Sequence, residues 1–149
     1  LSRPRNPDRF LTPEEKRAVE EAVAAAEKRT SAEIKVVLIR HCFDDITRKA
    51  ARLFHKLGLD KTRRRNCVLI LLVTANREFL IHGDEGIHKK VGQDFWNDVR
   101  DRMGADFAEG RFAEGLAGAV TDVGEKLAAF FPWDESDTDE IPDEVVRED

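Results

Sequence analysis

Long apolar runs are missing from this sequence. The longest, "CVLILLV" at residues 67–73, has seven residues, against the roughly 20 that a membrane-spanning helix takes. No transmembrane segment is expected. Cysteine is scarce too: Cys42 and Cys67 are the only two, with no CxxC spacing. That removes zinc-ribbon and dithiol redox motifs from consideration. Each lies beside an apolar strand-like run, so both are expected to be buried small hydrophobes rather than a structural disulfide. Internal repeats are absent, as are GxSxG and P-loop motifs, which leaves hydrolase elbows and phosphate-cradling loops without support. The opening "LSRPRNPDRFLTPEE" has no apolar core region, so it does not read as a secretory signal. A cytoplasmic location is the expectation, with a removed leader left open because the first residue is not Met.

What is present fits one soluble domain. A chain of 149 residues can bury a core without disulfides or a structural metal. Its charge is unevenly placed. Residues 133–149, "WDESDTDEIPDEVVRED", hold nine acids and one Arg, a net of −8, while the rest has 21 acids and 24 bases, a net of +3. The expected organisation is a folded domain over residues 1–132 and an acidic, disordered tail over 133–149. A body so close to neutral is not expected to bind nucleic acid, and the short basic loop "KTRRR" alone does not change that.

Along the body, the pattern alternates between helix and strand periods. "LTPEEKRAVEEAVAAAEKRTS" has an N-capping Thr12, Pro13 at the first helical position and Glu15 completing a capping box. Val19, Ala22, Val23 and Ala26 form its apolar stripe. "EIKVVLIRHC" reads as a strand covered on both faces. "DDITRKAARLFHKLGL" is a second amphipathic helix, capped by the Asp44–Asp45 pair and stopped at Gly58. "CVLILLV" and "REFLIHG" are two strands joined by a short turn. Two helical runs follow, with Trp96 on the apolar face of the first, where it is expected to be core. Strand, crossover helix and strand make a parallel pair, and the hairpin adds an antiparallel third strand. The expected fold is α/β: a three-layer α/β/α sandwich, with a small mixed sheet of three to four strands and helices on both faces.

This topology gathers polar residues from three segments. Glu33 opens the first strand and Asn66 precedes the second. The third strand runs the other way, so Asp84 and Glu85 at its end return to the same sheet edge, beneath the loop "DKTRRRN". Oxygens from separate loops, without sulfur, suit a hard cation such as Ca²⁺, with Mg²⁺ weaker. The same acids have plainer uses. Asp84 can cap the helix starting near Gly86, and Glu33 can pair with Arg63, Arg64 or Arg65.

The ordered set "TSAEIKVVLI", "KLGLDKTRRRNCVLILL", "REFLIHGDEGIHKKV", "FW" and "FAEGRFAEGLAGAV" resembles the TPM domain, over about residues 8–132. This is the domain of thylakoid-lumen, photosystem II repair and acetylcholine-receptor modulator proteins, and the match is closest to short bacterial forms that carry it alone. Cys67 and Ala32 stand where the family often has Gly. The resemblance implies a Rossmann-like sandwich and calcium binding. The family's acidic positions match Glu33, Asp84 and Glu85, and its polar loop matches Asp60, Thr62 and Asn66. It also implies two kinds of function. One is a protein-interaction module of the assembly, repair or chaperone-like kind, monomeric, serving protein clients or membrane-protein assemblies. The alternative is a weak metal-dependent acid phosphatase acting on phosphomonoesters. The residues favour the module: Cys67 has no phosphate-binding loop after it, and Asp44 and Asp45 match no phosphoaspartate motif.

Overall fold

The computed structural model describes residues 3–134 and 140–148. The chain runs α1 (Pro7–Phe10), α2 (Pro13–Glu27), β1 (Glu33–Ile39), α3 (Ile46–Lys56), a 3₁₀ turn (Leu59–Lys61), β2 (Cys67–Val73), β3 (Phe79–Gly83), α4 (Glu85–His88), α5 (Gln93–Ala108), α6 (Phe112–Phe130) and β4 (Val146–Glu148). The sheet order is β3-β2-β1-β4. β1 is parallel to β2 and to β4, and β3 is antiparallel to β2.

Alternation along the strands divides the core into two layers. Ile34, Val36 and Leu38 of β1 face α2, α5 and α6 together with Val68, Ile70 and Leu72. Val37 and Ile39 face α3, packing with Leu53, Phe54, Leu69 and Leu71. The result is the expected three-layer α/β/α sandwich. The local signals operate as the sequence predicts. Thr12 and Glu15 form the reciprocal capping box of α2, and the Asp45 side chain accepts from the Thr47 N–H to cap α3. Gly58 ends α3 in the left-handed region, at φ 72°, where a Cβ would be strained.

Trp96 and the end of the chain are placed differently from the sequence expectation. Trp96 packs against the core only half-buried. The end of the chain is the larger difference. Residues 140–148 are not set apart from the body: they lie along the free edge of β1 and add β4 to the sheet. Ile141 and Val145 are buried. The reason lies in β1 itself, where Glu33 and Lys35 are buried among apolar neighbours. Buried charges require partners, and this segment supplies them. The Glu140 N–H donates to Glu33 Oε1 at 2.8 Å, and Lys35 Nζ donates to the Pro142 and Glu144 carbonyls at 3.0 and 2.7 Å. The Val145 N–H donates to Glu20 Oε2, and Lys56 pairs with Glu148. Residues 135–139 and 149 of the expected tail lie outside the described residues.

Candidate functional site

The strand directions bring Glu33, Asn66 and Asp84 to one end of the sheet. Glu33 is in register with Cys67. The Glu33 N–H donates to the Asn66 carbonyl at 3.2 Å, and the Asp84 N–H to the Cys67 carbonyl at 3.0 Å. All three residues are buried. Asn66 Nδ2 donates to the Ser31 carbonyl at 3.3 Å, and the Asn66 N–H reaches Thr62 Oγ1, also at 3.3 Å. Two expected members are turned otherwise, although Glu85 Oε1 lies 3.5 Å from Arg65 Nη1. The Glu85 side chain is 62% exposed, and Asp60 turns its Oδ2 to His55 Nδ1 at 2.9 Å.

Asp84 is committed within the protein. Its Oδ2 accepts from Arg65 Nε at 2.8 Å and its Oδ1 from Arg65 Nη2 at 2.9 Å, a two-point guanidinium–carboxylate pair. Oδ1 also accepts from the Glu85 N–H, capping α4. Arg65 reaches this position from a left-handed backbone, φ 51°. The Gly86 N–H donates to the Arg65 carbonyl at 3.0 Å, which closes loop 62–66 against α4. The plainer reading of Asp84 as a helix cap therefore describes a real contact, while the acid that Arg65 pairs with is Asp84.

A resident dication does not fit at Asp84 as these donors stand. Both carboxylate oxygens are already held by a cation, and a metal beside the guanidinium would face like charge at short range. Among the described residues no group of three or more His, Cys, Asp or Glu side chains is placed to hold a metal ion. Nucleophilic chemistry is equally ill-served here. Cys67 is fully buried, and burial, reinforced by Glu33, Glu27 and Asp84, pushes its thiol well above the ordinary range. It is a packed hydrophobe, not a thiolate. Cys42, expected to be buried as well, is only partly covered, and its thiol donates to the Asp44 carbonyl at 3.1 Å.

The opposite end of the sheet holds a feature that the sequence reading passed over. Phe43, in the loop after β1, is 94% exposed. Its ring stacks on His41 at 5.3 Å between centroids. Residues 40–44, with Lys49 and Arg52, line a cleft of about 460 Å³. Arg52 pairs with Asp44 at 2.8 Å. Residues 40–56 hold five Lys or Arg against two Asp, in a chain of net charge −5. This loop leaves the carboxyl end of β1, the strand with a parallel neighbour on each side. In open α/β sheets, ligands bind in that crevice, outside the carboxyl ends of the strands where the chain reverses its direction of winding. The overlooked signal was an aromatic in "RHCFDDI" that belongs neither to a strand face nor to the apolar stripe of α3.

A TPM-domain family model matches residues 5–126. The chain belongs to the TPM domain family. A solved relative agrees over nearly the whole length: the NMR structure of the BA42 protein from the psychrophilic bacterium Bizionia argentinensis is 38% identical. It superposes with a TM-score of 0.90, covering 95% of this chain and 97% of that one. Comparison with curated proteins finds no match. No helix among the described residues of this TPM domain is long and apolar enough to cross a membrane.

Proposed function

We propose that this TPM domain is a protein-interaction module of the assembly, repair or chaperone-like kind, working through the Phe43 end of its sheet. The observation that carries the reading is Phe43 itself. A large apolar side chain held in water beside a basic cleft gains by insertion into a partner. Charge complementarity makes the partner an acidic protein segment that offers an apolar pocket.

Phe43→Ser should leave the unfolding free energy within about 0.5 kcal/mol of wild type, because the side chain is almost wholly exposed. It should weaken binding to a reduced, carboxymethylated, permanently unfolded acidic protein by at least about tenfold, or ~1.4 kcal/mol. Equal binding by the variant, read by fluorescence anisotropy, would remove Phe43 from the reading. The phosphatase alternative makes a different demand. Turnover of a simple phosphomonoester that scales with enzyme and disappears in Asp84→Asn would establish it over the module.

Calcium enters this proposal as a competitor of Arg65. An ion reaching Asp84 must displace the guanidinium, so wild-type melting should respond weakly to Ca²⁺ and less to Mg²⁺. In Arg65→Gln the carboxylate is released, and calcium should stabilise by about 2.7 kcal/mol at a hundredfold excess over its dissociation constant. A strong calcium shift in wild type that Arg65→Gln leaves unchanged would place the ion elsewhere.

A further inference from the structure

Where the segment that closes the edge of β1 passes the end of α2, two acids come to one cavity. Glu27, the last residue of α2, turns Oε2 to the Ile34 N–H at 2.9 Å. Its Oε1 is buried, and so is Oδ1 of Asp143, and among the described residues neither atom has an N–H or O–H donor. Both side chains line one cavity of about 270 Å³, together with Lys28, Glu33 and Trp133. Two ionised carboxylates facing each other there would repel, and each would keep an oxygen without a donor. A single proton corrects both faults, since a protonated carboxyl donates to its ionised neighbour.

We propose that the Glu27 carboxyl keeps a proton and turns it to Asp143, and that this proton latches residues 140–148 onto β1, so that the C-terminal strand is held most firmly at low pH and loosens steadily as pH rises. Burial first, and then the facing Asp143 and the nearby Glu33, push the Glu27 carboxyl up to about 11. The other ionisable groups around the pair are Lys28 on the rim, Lys35 on β1, Cys67 on β2 and Glu144 beside Asp143. Lys35 is itself held by the segment's carbonyls. In the released state Glu27 returns to its ordinary value near 4.5. The docked state therefore keeps a proton that the released state loses. The latch is complete below that ordinary value and is lost as pH rises towards the raised one, by about tenfold in the docking equilibrium per pH unit.

Relaxation-dispersion NMR on the full chain, following the Val145 and Val146 amides from pH 5 to 9, reads the released population. The ratio of released to docked chains should grow about tenfold per unit in wild type. In Glu27→Gln an amide N–H takes the place of the proton opposite Asp143, and the slope should vanish with the segment docked throughout. Asp143→Asn, in the segment itself, should do the same and covers the case in which the helix variant fails to fold. Equal release at pH 5 and 9 in wild type, or an unchanged slope in both variants, overturns the latch. So does full docking restored at pH 8 by Ca²⁺ alone, which would make the bridge a cation.

Discussion

Removing residues 140–149 should lower the melting temperature by roughly 5–15 °C, the equivalent of about 2–4 kcal/mol for a domain of this size. Ile141 and Val145 are buried, and burying side chains of this kind contributes about 1.5–3 kcal/mol each, part of which is offset by ordering the segment. Truncation also strips Lys35 of the Pro142 and Glu144 carbonyls and Glu33 of the Glu140 N–H. Both charges would remain deep in β1 with those partners gone, which is the costlier half of the loss. A melting temperature within about 2 °C of the full chain, less than roughly 1 kcal/mol, would show that the segment docks without holding the fold.

Gly86→Ala should destabilise by about 1–3 kcal/mol, as forced overpacking does. A Cβ there would meet the Arg64 and Arg65 carbonyl oxygens at 2.6 Å each. Both obstacles are backbone, so neither can swing aside as a flexible side chain would. Relief requires loop 62–66 to move off α4, and that carries the Arg65 guanidinium away from Asp84. Two readouts should move together: chemical denaturation, and the Arg65 Nε–H resonance that reports its bond to Asp84. Lost stability with the Arg65 resonance unchanged would separate the glycine from the ion pair.

Much of this fold is legible from local chemistry. Thr12 with Glu15 announces α2, Asp45 announces α3, and the unbroken apolar run 67–73 announces a strand covered on both sides. The meeting of Glu33, Asn66 and Asp84 is legible as well, because strand direction alone decides which ends share an edge. What they do there is not. The decisive contact comes from Arg65, and its aim depends on a left-handed backbone at a residue that rarely adopts one. Composition is a poor guide to the final segment, whose acids suggest solvation while Ile141, Val145 and Val146 are spaced among them. The better signal was in β1: Glu33 and Lys35 interrupt a strand whose other residues are apolar, and buried charges need partners from somewhere. Phe43 was hidden for the converse reason. A single aromatic in a loop has no period, and only its exposure in the folded protein marks it.

The proposed binding through the Phe43 end of the sheet, with the Asp84 end a closed structural lock, has one direct test. Amide chemical-shift mapping on the ¹⁵N-labelled chain, titrated with the reduced, carboxymethylated acidic protein, tests both halves at once. The expected result is saturable shifts confined to Arg40–Asp45, Lys49 and Arg52, with Glu33, Asn66 and Asp84 unmoved. Shifts centred on Asp84 and loop 62–66, with the Phe43 loop silent, would contradict it.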